Sequence, residues 1–152
     1  MTNKREWSEV DSYFAKTLIG SDPALEEALA ANATAGLPSI DVSTAQGKLI
    51  HLLARMSGAR KALEIGALGG YSTIWLARAL PDDGRLITLE VSAKHAEVAR
   101  RNVARAGVGG KRLLKRRVRP DQRLGEIGIH LAPLAFVRQP SSPSPELSLT
   151  PA

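Results

Sequence analysis

One stretch constrains this chain more than any other: Lys61 to Glu90, KALEIGALGGYSTIWLARALPDDGRLITLE. A short apolar run, Ala62-Leu63-Glu64-Ile65, ends in a glycine-rich turn, Gly66-Ala67-Leu68-Gly69-Gly70. An apolar-periodic segment follows and is stopped by Pro81, and a second short run, Arg85 to Leu89, ends on the acid Glu90. Strand, glycine turn, helix, strand and acid is the order of a nucleotide-binding βαβ unit. A chain built on that unit is α/β.

The glycine turn does not satisfy the dinucleotide fingerprint G-x-G-x-x-G, because Leu68 follows Ala67. What stands there is Glu64-x-Gly66-x-x-Gly69-Gly70-Tyr71-Ser72. Glycines let a ligand approach the backbone with no Cβ in the way. A helix starting near Tyr71 aims its free N–H groups and positive dipole end at the same spot, which favours a carboxylate or phosphate. Glu90, at the end of the next strand, is placed to accept both hydroxyls of a ribose. Taken alone, Gly69-Gly70 can be only a tight turn and Glu90 a solvated strand end. Their combination is what points to a nucleoside ligand.

The flanking segments carry helix signals. Trp7, Val10, Phe14 and Leu18 are spaced three and four apart, predicting an amphipathic helix over Trp7 to Ile19 that Gly20 ends. Asp22-Pro23 reads as an N-cap with proline at the first helical position, opening a helix through about Ala33. Leu37 to Val42 is an extended connection. Ser43-Thr44-Ala45-Gln46 is a capping box. The helix it opens is expected to bury Leu49, Leu52, Leu53 and Met56 and to leave Lys48, His51 and Arg55 in water. Ser92 caps a helix that packs Ala96, Val98, Ala99, Val103 and Ala104, and Gly107 stops it. Trp75 and Ile74 read as core.

Beyond Val108 the texture changes. Lys111 to Arg123, KRLLKRRVRPDQR, is strongly basic, and Leu124 to Leu134 makes one short apolar element. From Gln139 a Pro/Ser-rich tail is expected to be disordered. Residues 1–110 hold 13 Lys/Arg against 12 Asp/Glu, and residues 111–152 hold 8 against 3, so +5 of the net charge of +6 belongs to the tail. That cluster attracts phosphates, but no aromatic residue is interleaved for base stacking, and a solvated face explains it better than nucleic-acid binding. With no cysteine, neither a disulfide framework nor a Cys-ligated metal site can form. The N-terminus has no apolar leader and no run approaches membrane-spanning length, so a cytoplasmic location and no membrane partner are expected.

Residues 40–90 carry a family resemblance in three pieces: V-S/T-x-x-x-G in Val42 to Gly47, E-I-G-x-x-x-G-Y-S in Glu64 to Ser72, and the acid Glu90. Together they resemble the class I, cation-dependent S-adenosylmethionine O-methyltransferases, the family of catechol and caffeoyl-CoA methyltransferases. The similarity spans roughly residues 5–108. It implies a Rossmann-like methyltransferase fold, incomplete here, with leading helices, a cofactor-binding part over 1–108 and an atypical tail over 109–152.

It also implies roles at matching positions. The Val42 backbone sits by the methionine moiety, and Glu64, Gly66 and Ala67 line methionine and adenosine. Ser72 holds the methionine carboxylate, Glu90 the ribose hydroxyls, and Val91 lies beside the adenine. The implied activity is methyl transfer to a hydroxyl of a small, catechol-like acceptor, and the implied assembly a homodimer.

One departure is equally specific. The family holds a Mg²⁺-type cation with an Asp-Ala-Asp-like motif and a later Asp-Asn pair, whereas after Val108 this chain has only Asp121, Glu126 and Glu146 and no asparagine. The divalent cation is therefore expected not to be retained, and no metal ligand and no catalytic residue is assigned. His51, His95 and His130 do not supply a shared metal site. Such an abrupt change is what a frameshift or an aberrant gene end produces. The alternative function is then a non-catalytic S-adenosylmethionine-binding or interaction fragment.

Overall fold

The computed structural model describes residues 4–109 and 114–117. The Pro/Ser tail, the apolar stretch Leu124 to Leu134 and most of the basic stretch lie outside the described residues. Helix α1 runs over Lys4–Phe14, and Ala15–Ile19 continue it as a wider π-helical turn. The Gly20 N–H, donating 3.1 Å to the carbonyl of Ala15 five residues back, closes that turn. Helix α2, Pro23–Thr34, starts as its cap signal requires: the Asp22 carboxylate accepts the Leu25 N–H at 3.2 Å, with proline in the first turn. Helix α3 spans Thr44–Met56 behind a complete capping box, in which Ser43 Oγ accepts the Gln46 N–H at 3.2 Å and Gln46 Oε1 accepts the Ser43 N–H at 2.8 Å.

The central unit follows the predicted order. Strand β1 is Lys61–Ile65, helix α4 Tyr71–Ala79, strand β2 Arg85–Glu90 and helix α5 Ala93–Arg105. Ser92 Oγ caps α5 by accepting the His95 N–H at 3.3 Å, and Gly107 takes the left-handed conformation (φ 70°) that ends it. A third strand, β3, covers Leu114–Arg117, inside the basic stretch that the sequence reads as a solvated face. All pairings are parallel in the order β1-β2-β3, with Lys61 opposite Arg85 and Glu90 opposite Arg117. A parallel ladder is made by backbone groups, so a run of charged residues can supply a strand once α5 has carried the chain across.

The core lies where α2, α4 and α5 meet one another and β2. Leu25, Ala28, Tyr71, Ile74, Trp75, Leu86 and Val103 are among its buried members, so Ile74 and Trp75 are core as expected. Arg55 of α3 is exposed as expected, but the apolar stripe is not buried. Leu49, Leu52, Leu53 and Met56 are exposed, Met56 at 83%. The side that packs on α4 is that of Gly47 and His51: the His51 Nδ1 lies 3.2 Å from the carbonyl oxygen of Trp75, and its ring meets the Trp75 indole edge-on. The reason is steric. A Cβ on Gly47 would sit 2.3 Å from Trp75 Nε1, so the bare backbone there is what lets α3 approach a buried indole. The apolar side chains Trp7, Val10 and Phe14 of α1 and Leu18 of the π-helical turn are likewise exposed.

Candidate functional site

The site grows from the turn between β1 and α4. Gly66 takes φ 84° and Gly70, the N-cap of α4, φ 85°, conformations that glycine adopts without penalty. Between them Leu68 also has positive φ, 46°, a strained value for a branched side chain. Glu90 holds it there. Its Oε2 accepts the backbone N–H groups of Ala67 and Leu68, both at 3.0 Å, and its Oε1 accepts the Ser92 N–H at 2.9 Å. The acid that ends β2 is thus the clasp of the glycine turn. Gly69 has a separate constraint, since a Cβ there would fall 1.6 Å from the Asn32 side-chain oxygen.

Behind the turn a second acid is buried. Glu64 of β1 is 8% exposed and receives three hydroxyls: Ser72 on Oε1 at 2.6 Å, and Thr73 at 2.6 Å and Thr88 at 3.0 Å on Oε2. Burial pushes its carboxyl above the ordinary value of 4.5, against the pull of those three hydrogen bonds, and the nearby charge of Glu90 pushes the same way. One carboxyl therefore ties β1, β2 and the first turn of α4 together.

In front of the turn lies an open cavity of about 320 Å³, lined by Ile40, Asp41, Val42, Ile65, Gly66, Ala67, Leu68, Ser72, Glu90 and His95. Five of the seven residues singled out from the sequence, Val42, Gly66, Ala67, Ser72 and Glu90, meet there. Glu64 lies behind Ser72, outside the lining, and Val91 is 57% exposed and also outside it. The structure adds Asp41 and His95. His95, expected only on a polar helix face, sits with Nδ1 3.8 Å from Glu90 Oε1. Its signal was the position one turn into the helix that follows Glu90, and that of Asp41 was adjacency to Val42.

The cavity brings two carboxylates, Asp41 and Glu90, beside the start of α4 at Ser72. The first N–H groups of α4, those of Tyr71, Ser72 and Thr73, precede the first intrahelical bond, Ile74 N–H to the Gly70 carbonyl at 3.0 Å. The position where a Cβ of Gly66 would stand has no atom within 4 Å, leaving its backbone open to a ligand. A second cleft of similar size, about 320 Å³, runs past Lys16, Asp22, Glu26 and Tyr71. Its acids are already engaged, Asp22 with Arg78 and the Leu25 N–H, Glu26 with Ser21. Among the described residues no group of three or more His, Asp or Glu side chains comes together, and no helix is long and apolar enough to cross a membrane.

The sequence profile of the O-methyltransferase family matches residues 16–120, most of the chain. The chain belongs to that family. A catechol O-methyltransferase of Mycobacterium tuberculosis is 56% identical over 103 residues, which are 68% of this chain and 47% of that protein. Among solved structures, the O-methyltransferase from Bacillus cereus in complex with SAH aligns with a TM-score of 0.72 at 52% identity, covering 74% of this chain and 51% of the other. The Streptomyces achromogenes O-methyltransferase TomG, involved in tomaymycin synthesis and in complex with SAM, aligns at 0.70 and 49% identity, covering 76% and 51%. This O-methyltransferase chain therefore spans about half the length of the relatives it matches, and its Rossmann-like fold is theirs.

Proposed function

We propose that this chain carries the S-adenosylmethionine site of an O-methyltransferase whose reaction is methyl transfer to a hydroxyl of a small, catechol-like acceptor. The observation that carries the reading is Glu90: a strand-end carboxylate clasped to the glycine turn at the rim of a cavity that a helix N-terminus also faces. Support comes from relatives that are a catechol O-methyltransferase and enzymes in complex with SAH and SAM. When bound, the cofactor supplies an electrophilic methyl group on a sulfonium.

The chain's own residues do the holding. Ser72 and its neighbouring N–H groups take the carboxylate of the methionine end, favoured by the helix dipole. Glu64 borders that end from behind, fixing the Ser72 hydroxyl. Gly66 and Ala67 let the ligand lie against bare backbone, with Val42 opposite. Glu90 accepts the ribose hydroxyls, and Val91 flanks the adenine. Holding the methyl donor in one orientation is what such an enzyme contributes to an in-line displacement. The reading includes a cytoplasmic location, a homodimeric assembly and cofactor binding that needs no divalent cation.

Calorimetric titration with S-adenosylmethionine tests it, on the wild type and Glu90→Ala, with and without Mg²⁺. The expected result is wild-type binding indifferent to Mg²⁺ and a loss of about a hundredfold or more in the variant, because both the ribose acceptor and the clasp of the turn go. A folded wild type that does not bind ends the proposal. Binding that is unchanged in Glu90→Ala removes Glu90 from the site.

A further inference from the structure

The connection over residues 37–43 forms the lip of the cavity opposite the glycine turn, and buried amides fasten it to that turn. Asn32 of α2 and Asn102 of α5 are each 2% exposed. The Asn102 side-chain amide donates to the Gly69 carbonyl at 2.9 Å and to Asn32 Oδ1 at 3.1 Å, and the Asn32 amide donates to Asp41 Oδ1 at 2.9 Å. The relay starts on the glycine turn and ends on a carboxylate that lines the cavity. Buried amides are costly to leave unpaired, about 1–3 kcal/mol each, so this relay fixes where Asp41 stands. Its neighbour Ile40 is 73% exposed. Leu37 is buried and donates its N–H to the Asn32 carbonyl at 3.0 Å, and Val42 packs on the core, so both ends of the lip are anchored and the amide relay adds a hold on the Asp41 side chain.

The charges facing the cavity narrow what that side chain meets. Among the described residues two carboxylates line it, Asp41 and Glu90, with His95 the one titratable nitrogen and no Lys or Arg. Glu90 braces the turn and Ser92 and, in the reading above, takes the ribose hydroxyls at the other end of the ligand. Glu64, the other acid nearby, has both oxygens engaged by hydroxyls and is not part of the lining. An amino acid seated with its carboxylate at the N-terminus of α4 brings its ammonium within one carbon of that carboxylate, and a cation entering a partly desolvated cavity needs an acceptor of opposite charge.

We propose that Asp41 is that acceptor, taking the α-ammonium group of the amino-acid end of S-adenosylmethionine or S-adenosylhomocysteine while α4 takes the carboxylate. This rests on the cofactor site proposed above and adds a recognition element to it. Burial raises the Asp41 carboxyl from its ordinary value of 3.8 in spite of the Asn32 hydrogen bond.

Asp41→Asn separates charge from architecture, because asparagine keeps an oxygen for the Asn32 amide and nearly the same shape. Two probes are titrated by calorimetry: S-adenosylhomocysteine, and 5′-methylthioadenosine, which has the same nucleoside thioether without the amino acid. The expected outcome is about tenfold weaker binding of S-adenosylhomocysteine, with 5′-methylthioadenosine within about twofold of wild type. The second probe also reports that the variant is folded. Equal affinity of variant and wild type for S-adenosylhomocysteine overturns the proposal and makes Asp41 a structural bracket only. An equal loss for both probes overturns it as well, because Asp41 then shapes the cavity without reading the ammonium. A wild type that binds 5′-methylthioadenosine but not S-adenosylhomocysteine overturns it while leaving a nucleoside site. A wild type that binds neither brings down the cofactor reading with it.

Discussion

Helices α3 and α4 pack on each other, yet they differ in almost everything else. Six of the nine residues of α4 are buried, from Tyr71 through Ala79, whereas α3 buries only Gly47 of thirteen. The apolar stripe of α3 is the more regular of the two, and it points outward. Spacing of apolar residues identifies which side chains share a face; what lies against that face is decided by the shape of the partner. Here the partner is Trp75, whose indole can be approached only by a helix with no side chain at the contact. Local pattern chose the stripe, and long-range packing chose the glycine.

The sharpest way to break this contrast is Gly47→Ala. The substitution raises helix propensity by up to about 1 kcal/mol, so on local grounds it stabilises α3. Its Cβ, however, would lie 2.3 Å and 2.4 Å from Nε1 and Cδ1 of a buried Trp75. We expect a net destabilisation of about 2 kcal/mol, typical of overpacking a rigid core contact, read as a lowered midpoint in urea unfolding. A stabilised variant would mean that α3 and α4 are not in the contact described.

A smaller effect separates the two kinds of carboxylate that anchor α4. Glu64 has its folded-state carboxyl raised, first by burial, so between 4.5 and that raised value the native protein holds a proton that the unfolded chain has released. Stability due to Glu64 is therefore present at acid pH and falls as pH rises through this window. Asp22 has the opposite sign. Burial there would raise its carboxyl, but the hydrogen bond from Arg78 and the Leu25 N–H, together with the Arg78 charge, outweigh it and hold the group below 3.8. Its contribution is present above 3.8 and lost as pH falls through the lowered value. Unfolding free energies measured from pH 4 to pH 8 should lose their decline toward neutral pH in Glu64→Gln and keep it in Asp22→Asn. The same decline in both variants would remove Glu64 as its source.

How much was legible follows from the same distinction. Asp22, Ser43, Ser92 and Gly107 mark element ends through bonds made within a few residues, so their roles could be read directly, as could the runs that became β1 and β2. Within the site, the glycine turn and Glu90 were legible because strand, turn and strand are consecutive in the chain. Asp41 and His95 were not, since one is set by amides from α2 and α5 and the other by a turn of helix folding back on Glu90. Strand β3 was hidden differently: its ladder uses backbone groups, which a basic run neither advertises nor forbids.

The smallest expected effect tests the exposed stripe. Leu53 is 56% exposed, so Leu53→Ser removes little buried surface from the folded chain. Its unfolding free energy should stay within about 0.5 kcal/mol of wild type when measured at high dilution. A loss of about 2 kcal/mol or more would mean that Leu53 is a core residue after all, as its spacing first implied. Repeating the measurement at rising protein concentration sharpens the answer, because association stabilises a folded chain by mass action. If the stripe is covered in a homodimer, wild-type stability climbs with concentration and that of Leu53→Ser lags behind it. If neither depends on concentration, the α3 stripe is exposed in the working protein too, and the homodimer, if it forms, uses another face.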